Sequence, residues 1–342
     1  MIFRKILMLG VALSVLFCTG AEAASRYTVT EIAPQQAVVG RDAVLNDQGQ
    51  VLARARREDA TWFHFLWDEK QGFRLLDEEA IQLGATRLEE VTALNAAGNL
   101  IGLVHWPSPL CYGCSSPFFW NGQGLHLIPQ DEDELTIPIA MNRHNQVLLA
   151  RHYGGGEDTR WSIWSPHGEQ PVAVKSKVAY PVALNDQGQV LFESLSPREL
   201  LVWHNGKVVR RIAAPKGTFT QVIAFNNVGD IIGELLSERG DTPMLWTHTG
   251  HQIKIARPGY QIQLSDLNDQ LELVGEMTTN SSQVAILWNP IDELVNLNGQ
   301  IDPQAGWVLE RALAINAGGK ILANAHTLSD PSQQRLVLLA PV

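Results

Sequence analysis

The residues of this chain that could do chemistry are few and widely scattered. Two cysteines stand three apart in C-Y-G-C, Cys111 and Cys114. That spacing suits a small-loop disulfide in an oxidising compartment, a redox pair, or half of a zinc site. A redox pair needs a strand-to-helix setting that lowers one thiol pKa, and here Pro117 and a strand-like FFW follow instead. Zinc would need two further ligands, for which only His105 and His126 stand near. A loop staple or two inert thiols is therefore the expectation, and no metal is assigned. Trp106, Tyr112, Tyr153 and Trp307 lie in irregular stretches and are of the type that stacks on a sugar or a peptide. Their competing use is packing onto adjacent loops. The run Asp131-Glu132-Asp133-Glu134 offers oxygens but lacks the glycine-bearing spacing of a calcium loop, so it reads as a solvated acidic loop. There is no G-x-S-x-G, no H-E-x-x-H, no phosphate-cradling glycine loop and no dinucleotide fingerprint, and no cofactor is expected.

Whatever these residues do, a repeated scaffold must position them. The string N-D-Q-G-Q-V-L occurs twice, at Asn46 and Asn185, and looser versions recur between and beyond. The full set reads AVLNDQGQVLA, ALNAAGNLIGL, AMNRHNQVLLA, ALNDQGQVLFE, AFNNVGDIIGE, DLNDQLELVGE and AINAGGKILAN. The anchoring asparagines are Asn46, Asn95, Asn142, Asn185, Asn226, Asn268 and Asn316, spaced 49, 47, 43, 41, 42 and 48 residues apart. A tryptophan closing a strand-like run follows six of them, at Trp67, Trp120, Trp164, Trp203, Trp246 and Trp288. Tryptophans in such register are expected in the core.

Each unit reads as four short strands: one ending in a string such as VTALN, a tight turn, one such as QVLARA, one ending at the tryptophan, and a last one such as VVRRIAAP. Asn and Gly supply the left-handed backbone the tight turn needs. The hairpins at Asn142 and Asn268 lack the glycine and fit the pattern least well. Four strands per unit of about 40–45 residues is the signature of a propeller blade. The expected fold is all-β, a seven-bladed propeller in one domain over 24–342. The last unit stops after its third strand, and RYTVTEIAP near the start resembles an unpaired fourth strand, so the N-terminus is expected to complete the last blade. Only LDEEAIQLGATRLEE suggests a helix, a short one.

Labelling the strands a to d outward, the a–b and c–d turns share one face of the ring, and the b–c and d–a loops share the other. The second face carries the length variation and is where binding residues are expected. Its irregular loops supply the candidates His105, Trp106, Tyr112, His152, Tyr153 and Trp307. Ten positions after the anchors stand Arg56, His105, His152 and His326, and eight after them Arg54, Glu193, Glu234, Glu276 and Asn324. Period two places both sets on one side of strand b. Equivalent positions on an off-axis strand are too far apart to share a metal, so a polar rim to each blade is the reading.

The chain opens with Arg4 and Lys5, an apolar stretch from Ile6 to Phe17 and A-E-A at Ala21–Ala23. This reads as a signal peptide removed after Ala23 and implies export. Without it, 24 basic residues face 35 acidic ones, a net charge near −11 that makes nucleic acid a poor partner. The repeats are similar to the HAF family of bacterial extracellular repeats, whose units carry a hairpin marked by Ala, Asn and Gly and a His-Ala-Phe-Leu-Trp strand. FHFLWD at Phe63–Asp68 comes nearest to the second mark, and YTVTEI is like that family's openings. The resemblance implies a periplasmic or extracellular propeller-like protein and carries over no catalytic residues. The expected function is binding or scaffolding of a protein, glycan or small ligand through the variable-loop face, by a monomer without a transmembrane segment. The alternative is a hydrolase or lyase acting on a glycan or secreted metabolite at the channel mouth.

Overall fold

A computed structural model describes residues 25–32, 38–39, 43–57, 59–107, 115–131, 134–153, 158–174, 179–216, 218–238, 240–279 and 282–342. The expected signal peptide and Cys111, Tyr112 and Cys114 lie outside these residues. Alternating apolar runs and turn residues give seven antiparallel sheets in chain order, each a blade. Blade two, for example, consists of Arg87–Leu94, Leu100–His105, Ser115–Trp120 and Leu125–Leu127. In blade one the inner strand is two short pieces, Val38–Val39 and Val44–Leu45, both paired with Val51–Arg56. In blade seven Tyr27–Glu31 pairs antiparallel with Asp330–Pro341, from Tyr27 opposite Pro341 to Glu31 opposite Val337. The N-terminal strand is therefore the outer strand of the last blade and closes the ring. The one α-helix among the described residues, Leu76–Gln82, connects blades one and two within the LDEEAIQ stretch. No helix among them is long and apolar enough to cross a membrane.

The core is divided rather than central. Seven buried apolar clusters each fill one blade–blade interface. Each repeat tryptophan packs into the interface with the preceding blade: Trp120 between blades one and two, Trp246 between four and five. Burying an indole against a sheet face removes a large apolar area from water, which is why this residue recurs.

The asparagine anchors have a different task. Each side-chain oxygen accepts two backbone N–H groups of its own turn, as Asn185 Oδ1 does from Gln187 and Gln189. Each amide nitrogen donates to the carbonyl of the next blade's anchor, at 2.9 to 3.2 Å, and Asn316 donates to Asn46 to complete the circle. Only a short primary amide both shapes the turn and donates across the gap, since aspartate lacks the donor. Three residues on, every turn has positive φ. Gly188 is at 72°, and the two hairpins without glycine follow the same path, with Asn145 at 59° and Leu271 at 61°.

Candidate functional site

Two mouths of the central channel offer themselves. On the a–b face a cavity of about 210 Å³ is lined by the residues before, at and after the anchors. In four of the seven blades the residue after the anchor is Asp or Asn, and its side chain binds the neighbouring blade. Asp186 accepts the N–H of Arg143, Asn227 that of Asp186, Asp269 that of Asn227 and Asp47 that of Ala317, at 2.8 to 3.0 Å. Three carboxylates here tie blades together. Sequence reasoning missed this inner ring; lining up the seven repeats one position past the anchor would have found it.

Deeper along the inner strands, two before the anchor, five blades carry alanine, blade one carries Val44, and blade six carries Asp266. Its oxygens accept the N–H groups of Leu267 at 2.8 Å and of Ile315 in blade seven at 3.0 Å. Burial pushes its pKa up from 3.8 to about 7, more than those two hydrogen bonds pull it down.

On the variable-loop face, cross-strand register pairs Tyr180 with Glu193, Gln221 with Glu234, Gln263 with Glu276 and Arg311 with Asn324. Blades four to seven thus each carry a polar pair at this level, and in blade seven Arg311 reaches back to Glu276 and Ser265 of blade six. The Glu193 carboxylate accepts the Tyr180 hydroxyl at 2.6 Å and the Val222 N–H of blade five at 2.5 Å. The bond from Tyr180 to this carboxylate, with some help from burial, pushes the phenol up to about 12. Glu276 accepts from Gln283 and lies 3.6 Å from Arg311 of blade seven. Glu234, the middle member, has neither kind of partner among the described residues. Burial, then the charge of Asp241, raises its pKa.

The sequence-derived candidates are spread over three blades. The His105 ring nitrogen Nε2 lies 2.7 Å from Arg87 and 3.3 Å from Glu89, which also accepts from Ser115. His152 Nδ1 meets the Thr159 hydroxyl at 2.9 Å, and His326 Nδ1 meets Glu310 at 3.1 Å. Each histidine is held inside its own blade, and among the described residues no three His, Cys, Asp or Glu side chains gather as a metal site. Tyr153 lies under the Arg160 guanidinium, 4.7 Å from its ring centroid. Trp106 packs at the interface of blades one and two, and Trp307 at that of blades six and seven. The loop aromatics that the structure describes are thus folded back on neighbours. Glu134 of the acidic run is an internal residue that joins Arg151, which also takes Glu169 through two 2.7 Å bonds. Burial pushes the Glu134 carboxyl up, but Thr136 and Arg151 outweigh it and hold it below the usual carboxylate range.

Other large apolar side chains remain uncovered. Trp62, Leu135, Tyr180, Leu195, Tyr260 and Leu328 are exposed at strand ends or loops of the variable face, and the helix between blades one and two adds Ile81. On the a–b face, the turns and strand ends expose Phe73, Val209, Val228, Ile291 and Val342.

No known family's sequence pattern matches the chain, and no characterised protein resembles it significantly in sequence. Solved structures share its fold. A streptogramin B lyase is 10% identical, covers 92% of this chain and 98% of its own, and superposes with a TM-score of 0.51. The virginiamycin B lyase of Staphylococcus aureus, as a catalytically inactive variant with quinupristin, gives 11%, 92%, 100% and 0.50. The β-propeller domain of the Trilobed protease from Pyrococcus furiosus gives 12%, 75%, 81% and 0.52. That domain is described as having an open velcro topology, whereas here Tyr27–Glu31 closes the ring. The chain is a seven-bladed β-propeller.

Proposed function

We propose that this protein is an exported repeat propeller of the HAF kind that binds or scaffolds a partner through its variable-loop face. The supporting observation is the distribution of uncovered apolar surface. Rings and leucines from blades one, three, four, five–six and seven stay in solvent on that face. On the opposite face the polar groups are spent on the asparagine belt and the ring outside it. Exposed aromatic and aliphatic side chains spaced around a rigid rim suit an extended macromolecular contact. Replacing Trp62, Leu135 and Tyr260 together by serine is expected to abolish retention of a partner from the same compartment. The matched set Phe73, Val228 and Ile291 to serine is expected to leave it intact. Equal effects of the two sets would refute the assignment of the face.

The enzyme alternative draws on Asp266, an inner-strand carboxyl whose pKa burial pushes up to about 7. Its two oxygens are engaged by backbone N–H groups, and among the described residues no second titratable side chain hydrogen-bonds to it. A general acid or base needs such a companion or a substrate proton within about 2.6–3.2 Å. The binding reading is therefore the better supported.

A further inference from the structure

The three equivalent glutamates of blades four, five and six have different fates. Glu193 and Glu276 are saturated by tyrosine, amide, backbone and arginine partners. Glu234 has the same register, opposite Gln221, and among the described residues no tyrosine or arginine bonds to it. It stands instead on the wall of a cleft of about 510 Å³ between blades five and six. That volume lies within the usual range of small-ligand sites, about 300–1,000 Å³.

The rest of the cleft is of mixed charge and partly rigid. Asp241 adds a second carboxylate, Arg257 supplies a cation, and Gln263 and Tyr260 add further polar lining, while Lys254 pairs with Met244 on the sheet face toward blade four. Arg257-Pro258-Gly259-Tyr260 is a tight turn closed by the Tyr260 N–H on the Arg257 carbonyl at 3.1 Å, with Gly259 at φ 81°. Proline and glycine in its two central positions preset this wall. Arg257 lies over the Tyr260 ring at 5.1 Å, so both are presented together.

Register sets the spacing of the charges. Glu234 lies opposite Pro243 on the third strand, whose carbonyl accepts the Ile255 N–H just past Lys254 on the fourth. Two strand spacings of about 4.8 Å place the Ile255 backbone, from which the chain runs on to Arg257, roughly 10 Å from Glu234. An extended chain advances about 3.3–3.6 Å per residue, so three residues span that distance.

We propose that this cleft binds a short zwitterionic peptide of about three residues, its ammonium held by Glu234 and Asp241 and its carboxylate by Arg257. The proposal rests on the variable-loop face being the binding face and names a ligand class for one part of it. A half-buried carboxylate without a partner loses part of its hydration uncompensated, and an incoming ammonium supplies the missing donors.

The test is calorimetric titration of the protein with trialanine, N-acetyl-trialanine and trialanine amide. Trialanine is expected to bind, and each blocked form to bind at least about tenfold more weakly, about 1.4 kcal/mol. Glu234→Gln should cost trialanine a similar factor and abolish the discrimination against the N-acetyl form. Arg257→Gln should do the same for the amide. Glu234→Gln keeps the side-chain shape, and its melting temperature confirms that the ring is intact. Absence of trialanine binding, or binding indifferent to both blocking groups and both substitutions, overturns the proposal. If peptide binding fails while serine at Trp62, Leu135 and Tyr260 still abolishes partner retention, the cleft assignment alone falls. If peptide binding holds while that triple substitution has no effect, the cleft stands without the wider reading.

Discussion

Asp266→Ala tests the inner strands most directly, because alanine is what five other blades carry at this position. The unfolded chain releases this proton near 3.8, whereas the folded protein keeps it to about 7. Between those values the native state binds a proton that the unfolded state does not, so this group's contribution to stability falls as pH rises through the window. Each tenfold difference in proton affinity is worth about 1.4 kcal/mol, so the full penalty above pH 7 approaches roughly 4 kcal/mol. This is an upper value, since protein encloses the carboxylate while part of the residue stays in contact with solvent. Alanine removes that penalty and also two backbone hydrogen bonds, worth about 1 kcal/mol each. The substitution should therefore destabilise by about 2 kcal/mol near pH 4 and stabilise by up to about 2 kcal/mol at pH 8. Urea unfolding of both proteins across that range, read as the difference between them, cancels every other titrating group. A difference that stays flat with pH would refute the reasoning and show that the carboxylate ionises as it does in water.

Other parts of the ring make equally definite demands. Asn185→Ala removes the bond to the Asn226 carbonyl and both turn bonds, leaving buried groups unpaired, and should lower unfolding free energy by about 3 kcal/mol in a denaturant titration. Leu271→Gly relieves a left-handed backbone, a gain on the order of 1 kcal/mol, but loses the leucine's packing between blades five and six, so the thermal midpoint should hardly move. In that assay the glycine at Gly188 replaced by leucine should lose on the order of 1 kcal/mol. Removing residues 25–31 strips the outer strand from blade seven and exposes the edge of Asp330–Pro341. Broadened unfolding and concentration-dependent association by light scattering are the expected results.

The fold was legible because the propeller uses one residue type for a task no other performs. An asparagine that shapes a turn and also donates across a blade gap cannot drift to another type without opening the belt. Its period therefore survives where strand sequences diverge. The tryptophans are nearly as constrained, each filling an interface with its predecessor. The ring closure followed from counting strands, since a lone fourth strand at one end and a missing one at the other have a single solution. The glycine-free hairpins looked irregular only because positive φ is a property of the backbone, and Asn145 and Leu271 adopt it at some cost.

The site was harder to read, and the reason is geometric. A charged residue on one blade has its fate decided by what the next blade brings to the gap. Beside its own blade's tyrosine, Glu193 receives a backbone N–H from blade five, Glu276 receives an arginine, and Glu234 receives an open cleft. In sequence the three are the same residue at the same offset. The loop aromatics misled for a related reason: Trp106 and Trp307 bury their rings in the nearest interface, and Tyr153 lies beneath Arg160. Repeats preserve whatever holds them together, so the regular positions of this chain describe the scaffold. Binding capacity belongs where a repeat position is kept but its customary partner is withdrawn, and the gap between blades five and six is such a place.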